Sequence, residues 1–299
     1  MLLTAEERLR RVSLVVGLGL AAVILAAVGW SAEPFRPDSL GPGHDARSYW
    51  VVTLDDPYAF GLVGEESAFP YSPAFLQALT PIRVLDWTPF LVVWTGLLMA
   101  ALLVMVGPLL FAPMLVLTAI DLWGGNIHLL LALAIVAGFR WPAAWAFMLL
   151  SKVTPGIGLL WFVARGEWRA LGVAVGTAGV IGAVSLAVAP DIWVDWFRFL
   201  EGSTGRSTVG HSVPVPLWAR LPVAAAVVVV AARTDRRWLL PVGVLLALPV
   251  IWWGSFSILA ASVALERRRI EGWLVRRFVG APRVGIDGPA AEGPRAADR

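Results

Sequence analysis

Cysteine is absent from the 299-residue chain, which excludes a disulfide framework, a thiolate metal site and a cysteine nucleophile. Charged residues make up only 15% of the chain, against about a quarter in a typical soluble domain. Lys152 is the only lysine, and the remaining basic side chains are arginines and three histidines. The chain contains no Walker A loop, no G-x-G-x-x-G motif and no G-x-S-x-G elbow, so nucleotide-driven chemistry is not expected.

Apolar residues dominate what remains. The hydrophobic fraction is 58% and the mean hydropathy is +0.75. A water-soluble fold could not hide that much apolar surface, so the excess must face lipid. The net charge of +3 does not indicate nucleic-acid binding, because the arginines fall between apolar segments, as the positive-inside bias predicts. The composition therefore predicts an all-α, polytopic membrane protein that binds no nucleic acid.

The N-terminal third predicts one membrane helix followed by an outer loop. An apolar run from Val12 to Trp30 is long enough to span a bilayer, and three arginines precede it. We therefore expect a multi-pass protein of the inner (plasma) membrane with a cytoplasmic N-terminus. Residues 31–72 carry seven acidic residues and two arginines, which predicts an extracytoplasmic loop.

Further apolar segments follow at 73–85, 88–106, 109–120, 126–139, 143–164 and 168–189. Strict alternation gives seven crossings up to residue 189 and puts Arg83 and Arg165 inside and Arg140 outside. An alternative with a re-entrant pair around 107–125 puts Arg140 inside. Several segments are shorter than the ~20 residues of a straight crossing, and their prolines predict kinked helices.

The C-terminal part is expected to hold a second outer loop, a hairpin and a tail. In the loop, Trp193, Trp196, Phe197 and Leu200 fall on one helical face, which predicts an interfacial helix. Residues 238–265 predict two short helices that turn near Trp252–Ser255. We expect one transmembrane domain over 1–269 and a disordered cytoplasmic tail over 270–299.

The first outer loop contains a candidate general base, Asp45. A carboxylate near a bilayer surface can deprotonate an arriving hydroxyl if the two lie roughly 2.6–3.2 Å apart. The alternative is a structural role, because Asp45 precedes a predicted helix through Tyr49 to Val52 and is placed as its N-cap.

Lys152 is a second candidate, since it lies inside an apolar segment. A charge at membrane depth costs several kcal/mol and normally faces a polar cavity, a partner or the interface. Its ammonium could bind a phosphate as a point charge. Snorkelling of the side chain to the surface is the alternative.

A third cluster is the stretch Asp121-Leu122-Trp123-Gly124-Gly125-Asn126-Ile127-His128. The glycines permit a tight turn between short helices, where Asn126 and His128 could offer polar contacts. The alternative is a cap in which Asn126 satisfies backbone groups. No histidine spacing fits a metal site, so neither a metal nor a cofactor is expected.

Several short motifs together resemble glycosyltransferase family 87, the polyprenyl-phosphate-mannose-dependent mannosyltransferase-like proteins of the GT-C superfamily, in its actinobacterial type. They are Asp45 with Tyr49, the pair Pro57-Tyr58, the run Phe69-Pro70-Tyr71-Ser72-Pro73, and Lys152-Val153-Thr154-Pro155. The family's G-Q-x-N motif is replaced by Gly125-Asn126-Ile127-His128, which departs at both polar positions.

The resemblance implies a GT-C bundle of about 8–10 short or kinked membrane helices with an extracytoplasmic first loop. It also implies a hexosyltransferase that moves a sugar, usually mannose, from a polyprenyl-phosphate donor to a glycolipid or glycan acceptor on the outer face. Asp45 would be the general base. The residues expected to bind substrate are Arg47, Tyr49, Tyr58, Tyr71, Asn126, His128 and Lys152.

Two other functions remain open at this point. A transporter or flippase of a lipid-linked or polar substrate would also place Lys152 in a membrane cavity, although carriers usually keep shorter outer loops. A non-catalytic relative acting in assembly is compatible with the altered motif at Gly125–His128.

Overall fold

A computed structural model describes residues 3–32, 41–53, 55–59, 63, 68–203 and 213–279. These residues form α-helices and short 3₁₀ segments, with no strand among them. The α-helices, numbered α1 to α14, are Ala5–Ser31, Ala46–Val51, Pro73–Arg83, Trp87–Leu117, Ala119–Gly124, His128–Gly138, Trp145–Ser151, Leu160–Arg165, Trp168–Val188, Pro190–Ser203, Leu217–Arg233, Leu240–Leu246, Ala260–Leu265 and Arg267–Val279.

Three of these helices are long and apolar enough to cross a membrane, namely α1, α4 and α9. Four shorter apolar helical stretches accompany them: His128–Gly138, Pro142–Ser151, Arg237–Leu246 and Trp253–Leu265. The prediction of an all-α polytopic membrane protein with short and kinked helices is confirmed.

One end of the bundle is tied together by arginines, and we call it the arginine end. There Arg10 Nη2 lies 2.9 Å from Glu271 Oε2, which joins α1 to α14. Arg165, the last residue of α8, donates to the carbonyl oxygen of Ala232 and to the carboxylate of Asp235, both at 3.1 Å. These bonds join α1 to α14 and the end of α8 to the end of α11. The Ser262 hydroxyl, just before α14, donates to the carbonyl oxygen of Trp238, just after α11, at 2.8 Å and connects the two groups.

The opposite end, which we call the site end, is where α1 ends and α4 begins. Trp87 Nε1, at the first residue of α4, donates to the carbonyl oxygen of Ala32 at 3.2 Å. Trp50 Nε1 of α2 donates to the carbonyl oxygen of Leu85 at 2.9 Å. The segment between α3 and α4 therefore lies at the site end.

Helix α3 does not cross the bundle, so the predicted crossing at 73–85 is wrong. The Ser72 hydroxyl, just before α3, hydrogen-bonds the carbonyl oxygen of Leu150 near the end of α7, while the other end of α3 lies beside α2. Its buried side chains, such as Phe75 and Leu79, are apolar because they pack on other helices rather than face lipid. Arg83 is consequently at the site end.

Helix α4 is two passes rather than one. Gly107 has φ 71° and ψ 175°, outside the helical region, and Pro108 follows it. A Cβ at Gly107 would collide with the guanidinium of Arg267, so this turn lies at the arginine end. The chain then returns through the second part of α4 and α5 to Gly125, whose carbonyl oxygen accepts from Trp94 Nε1 at 2.7 Å.

The segment predicted as one span at 143–164 is also two passes. Helix α7 ends at Ser151, Lys152 is extended with φ −131° and ψ 110°, and a 3₁₀ segment starts at Thr154. Lys152 therefore lies in a helix break, three residues before Pro155, and not inside a continuous helix. One predicted crossing is absent at α3 and one is added here, so the number of crossings up to residue 189 stays at seven. Helix α9 therefore still ends at the site end.

Arg140 lies at the same end as Arg165, as the alternative topology had it, but the reason differs: residues 107–125 are a full pass rather than a re-entrant pair, and α3 is not a crossing. Arg140 shares a surface pocket with Gly166, Glu167 and Arg169. Within the described residues ten segments run alternately toward the site end and the arginine end: α1, the first part of α4, its second part with α5, α6, α7, residues 154–165, α9, α11, α12 and residues 253–265.

The helix after α9 packs on the protein by a different face from the predicted one. In α10 the buried side chains are Trp193, Trp196 and Phe199, while Phe197 is 57% exposed. Trp196 Nε1 donates to the carbonyl oxygen of Pro70 at 3.3 Å. Of the residues predicted to share one face, Trp193 and Trp196 thus pack against the protein, whereas Phe197 is exposed.

The C-terminal predictions hold in part. Residues 238–265 form the predicted hairpin of short helices, with the turn at 247–252 rather than at Trp252–Ser255. The predicted disordered tail begins too early, because α14 extends to Val279 and Glu271 is buried between two arginines. Residues 280–299 lie outside the described residues.

Candidate functional site

The candidate site is built where the loop before α2 meets the turn after α5. Gly43 N donates to the carbonyl oxygen of Trp123 at 2.7 Å, and Asp45 N donates to that of Gly124 at 2.9 Å. Gly125 has φ 72°, a left-handed conformation that favours glycine and that ends α5. The two segments are thus fixed side by side through their backbones.

This junction is recessed below the site end. Trp87 binds the end of α1, whereas Trp94, seven residues further along α4, binds Gly125. Seven residues of α-helix span about 10 Å, so the junction lies about that far inside the bundle.

Asp45 precedes α2, as predicted, but its carboxylate makes no capping hydrogen bond. The side chain is 38% exposed, and Oδ2 lies 3.6 Å from His44 Nε2. Because the cap role is unfilled, the carboxylate is available to a ligand. His44 was not among the predicted site residues; its adjacency to Asp45 was the signal for it.

Lys152 is held by the residues of the third sequence cluster. Its Nζ lies 3.4 Å from Asn126 Oδ1 and 3.3 Å from His128 Nε2. The ammonium also lies 5.7 Å from the centre of the Tyr71 ring, within the range of a cation–π contact. Asp45 and Asp121 both attract this ammonium.

Asn126 combines the two roles that its sequence left open. Its Oδ1 accepts from the backbone N of Ile127 at 2.8 Å and also from Lys152. The residue therefore satisfies a helix start and holds the lysine at once.

His128 is buried between three other polar side chains. Its Nδ1 lies 2.8 Å from Asp121 Oδ1, and both side chains are at most 1% exposed. Its Nε2 lies 3.3 Å from the Ser255 hydroxyl and 3.3 Å from Lys152. Sequence reasoning gave no role to Asp121 or Ser255; Ser255 is 127 residues from His128, and no local pattern joins them.

The three tyrosines form a buried support. Tyr49 and Tyr71 share a hydrogen bond of 2.9 Å between their hydroxyls, and the Tyr58 hydroxyl donates to the carbonyl oxygen of Tyr71 at 2.8 Å. Their exposed fractions are 0% for Tyr49, 4% for Tyr71 and 8% for Tyr58. Their hydroxyls are thus bonded within the protein.

Burial raises the pKa of Tyr49 well above its ordinary value, and the neighbouring Tyr71 and Asp45 raise it further. Burial likewise raises the pKa of Tyr58, with a contribution from Asp195. These phenols therefore stay neutral, and the Asp45 carboxylate is the more exposed acidic group beside them. Arg47, two residues after Asp45, is half-buried on α2.

The fold and these contacts define a polytopic membrane protein with a polar site recessed at one end. The model of Glycosyltransferase family 87 matches residues 69–274, about two thirds of the chain. The chain belongs to that family and is a membrane glycosyltransferase. The matched range includes Asp121, His128 and Lys152 but begins after Asp45. Neither the curated proteins nor the solved structures contain a significant match.

Proposed function

We propose that this glycosyltransferase moves a hexose, mannose first among the candidates, from a polyprenyl-phosphate donor to a hydroxyl of a glycolipid or glycan acceptor. The observation that carries the proposal is that groups of opposite charge are held by the two sides of one turn. The Asp45 backbone is bonded to Gly124, and the Lys152 ammonium is bonded to Asn126, two residues further along that turn. In such an arrangement the carboxylate can act as the base, and the ammonium can stabilise the phosphate leaving group.

The reaction balances with these two groups. Asp45 takes the proton of the acceptor hydroxyl while the acceptor oxygen bonds to the anomeric carbon with inversion. The bond between that carbon and the phosphate oxygen breaks, and the polyprenyl phosphate leaves with the electron pair. A positioned base typically contributes about 10²–10⁴-fold, and a cation stabilises the charge that develops on the phosphate.

We further propose that the arginine end faces the cytoplasm of the cell that carries this protein in its inner membrane. The positive-inside bias favours that orientation, because Arg10, Arg140, Arg165, Arg237 and Arg267 all lie at this end. The recess with Asp45 then opens outward, where a lipid-linked donor is presented.

The test is transfer by the purified full chain in proteoliposomes supplied with polyprenyl-phosphate-mannose and a short mannoside acceptor. We expect Asp45→Asn to lower kcat by about 10²–10⁴-fold with little change in KM. Asp191→Asn, at an exposed acid of the site end, is the matched control. Undiminished transfer by Asp45→Asn would refute the role of Asp45 as the general base.

A second outcome bears on the carrier alternative. If the wild type moves a fluorescent polyprenyl-phosphate sugar between leaflets but transfers none of it, a flippase becomes the better assignment. If neither activity is found with any hexose donor, a non-catalytic relative is indicated.

A further inference from the structure

Behind Lys152 lies a line of buried groups that the reaction above does not use. Asp121 contacts His128, and His128 contacts Lys152, at 2.8 and 3.3 Å. Neither Asp121 nor His128 can touch a substrate, because their side chains are 0% and 1% exposed. Burial of an ionised carboxylate costs free energy, so the position of Asp121 near Lys152 requires an explanation.

The charge state of Asp121 decides which nitrogen of His128 carries the proton. Burial disfavours a charge on Asp121, whereas the Lys152 ammonium and the backbone N–H of Leu129 favour it. With Asp121 ionised, its carboxylate only accepts hydrogen bonds, and the nitrogen that faces it, Nδ1, is the donor. In a neutral ring Nε2 then has a lone pair, and it faces the Lys152 ammonium. Asp121 therefore sets the tautomer that lets His128 accept from Lys152.

Ser255 fits the same assignment. Its hydroxyl oxygen accepts from the backbone N of Trp252 at 3.0 Å, which leaves its proton to donate. The Ser255 oxygen lies 3.3 Å from His128 Nε2, as far as Lys152 Nζ does, so the hydroxyl and the ammonium share the single lone pair of that nitrogen. Ser255 thus locks the imidazole from the helix pair at 253–265.

The lysine side of the cluster leaves one donor unused by these acceptors. An ammonium has three N–H groups. One is taken by His128 Nε2 and one by Asn126 Oδ1. Two fixed acceptors orient the third, so that the direction of the cation is set before any ligand arrives.

We propose that Asp121 and His128 are positioning residues that hold the Lys152 ammonium with one N–H aimed at the phosphate ester of a lipid-linked ligand. The inference rests on the proposed function for the identity of that ligand. Asp121 also balances the buried positive charge while the recess holds no anion. A lysine ammonium is normally a point charge on a flexible side chain. Here the side chain is held in one orientation, so less conformational freedom is lost when the phosphate binds.

The test uses substitutions that change the tautomer or the acceptor. In Asp121→Asn the amide can donate to Nδ1, which moves the ring proton to Nε2 and sets two donors against each other. His128→Phe removes the acceptor, whereas His128→Gln keeps a carbonyl oxygen near Nε2. Ser185→Ala, which removes the partner of Trp193 Nε1, controls for loss of a buried hydrogen bond away from the site.

The measured quantities are the Kd of the full chain in nanodiscs for farnesyl phosphate and, separately, KM for the sugar donor and for the acceptor. We expect Asp121→Asn and His128→Phe to weaken phosphate binding about 10-fold or more, a loss of about 1.4 kcal/mol. Donor KM should rise in parallel while acceptor KM is unchanged. His128→Gln and Ser185→Ala should stay within about 3-fold of wild type.

A purely structural role predicts another pattern. Asp121→Asn and His128→Phe would then lower the folded fraction and Tm while the folded molecules keep wild-type Kd, and that result overturns the proposal. If Asp121→Asn does not fold, the comparison of His128→Gln with His128→Phe decides alone. Failure of the wild type to bind farnesyl phosphate also overturns it.

Binding and transfer separate the two proposals. Phosphate binding that follows the expected order of variants, without sugar transfer by the wild type, supports the positioning role and refutes the transfer reaction. Sugar transfer by the wild type with unchanged donor KM and Kd in all variants refutes the positioning role alone.

Discussion

At the scale of single residues, the position of the proposed base, Asp45, depends on Gly124, which has no side chain. The Asp45 backbone bonds Gly124, and its carboxylate lies over the same glycine. A Cβ added to Gly124 would come within 2.9 Å of Asp45 Oδ2 and 3.0 Å of the His44 ring. The glycine is therefore required for space at this point.

Gly124→Ala should displace the Asp45 carboxylate without removing it. Because misplacement of a catalytic group by about 1 Å can cost about 10²-fold, we expect kcat to fall by about 10–100-fold. The measurement is sugar transfer with saturating donor. Gly179→Ala on the exposed face of α9, where a Cβ meets nothing within 4 Å, is the control. Equal turnover of the two variants would refute this account.

A second residue, Arg220, is bonded to the turn that the segment after Lys152 contacts. Its buried guanidinium donates to four backbone carbonyls, at 2.7–2.9 Å, of Val215, Leu246, Leu248 and Pro249. These bonds fix the turn between α12 and the helices at 253–265. The carbonyl of Ala247 in that turn accepts from the Thr154 hydroxyl at 2.6 Å. Thr154, in the run Lys152-Val153-Thr154-Pro155, thus anchors the segment that carries Lys152.

At the scale of elements, α14 is attached to α1 through one carboxylate. Glu271 receives Arg267 Nε at 2.8 Å and Arg10 Nη2 at 2.9 Å. Burial by itself raises the pKa of Glu271, but the hydrogen bonds from Arg267 and Arg10 outweigh it and hold the pKa below its ordinary value. The ionised form is thus favoured by folding.

Glu271→Gln should destabilise the protein in a pH-dependent way. A lowered folded-state pKa gives stability that is present above the unfolded value of about 4.5 and is lost as the pH falls through the folded value. Hydrogen bonds to charged groups, discounted for the partly exposed arginines, are worth about 1–2 kcal/mol here, or a few degrees in Tm.

The measurement is Tm in detergent from pH 7 to pH 3 for wild type and variant. The difference should be constant from pH 7 to about 5 and shrink below about pH 4. Glu266→Gln is the control, since its partner Arg269 is 87% exposed and 3.7 Å away. A difference that does not depend on pH would contradict the role given to this carboxylate.

At the scale of the whole molecule, the two ends differ in what they carry. The arginine end carries the ion pairs of α1, α8 and α14, and the site end carries α2, α3 and α10 around the recess. This division assigns each described turn between passes to a side. The assignment differs from simple alternation at Arg83 and Arg140, which have exchanged sides.

The lack of cysteine makes this division testable by labelling. Single cysteines at the exposed positions Asp86, Asp191 and Thr234 should react differently with a membrane-impermeant maleimide in intact cells. We expect Asp86→Cys and Asp191→Cys to be labelled, and Thr234→Cys only after permeabilisation. The cysteine-free wild type is the blank. If Asp86→Cys, like Thr234→Cys, were labelled only after permeabilisation, a crossing at 73–85 would be supported.

Much of the site was readable from local sequence. Asp45, Asn126, His128 and Lys152 were predicted, and the structure places Lys152 Nζ 3.4 Å from Asn126 Oδ1 and 3.3 Å from His128 Nε2. Their polar character in apolar segments was the signal. The buried tyrosines were predicted as substrate contacts, but aromatic residues beside a polar site look the same in sequence whether they line it or support it.

The apolar sequence by itself determined that the chain is a membrane protein, since hydropathy is a sum over residues and needs no contacts. Its prolines predicted kinks, because proline removes a local backbone donor, but they did not select the breaks at Pro108 and before Pro155 over Pro81 and Pro113, which lie inside helices. Which apolar segments cross was decided by tertiary structure: α3 lies flat because other helices cover its apolar face. Packing alone joined Ser255 to His128 and Arg220 to the turn at 246–249, where buried polar groups had to find partners distant in sequence.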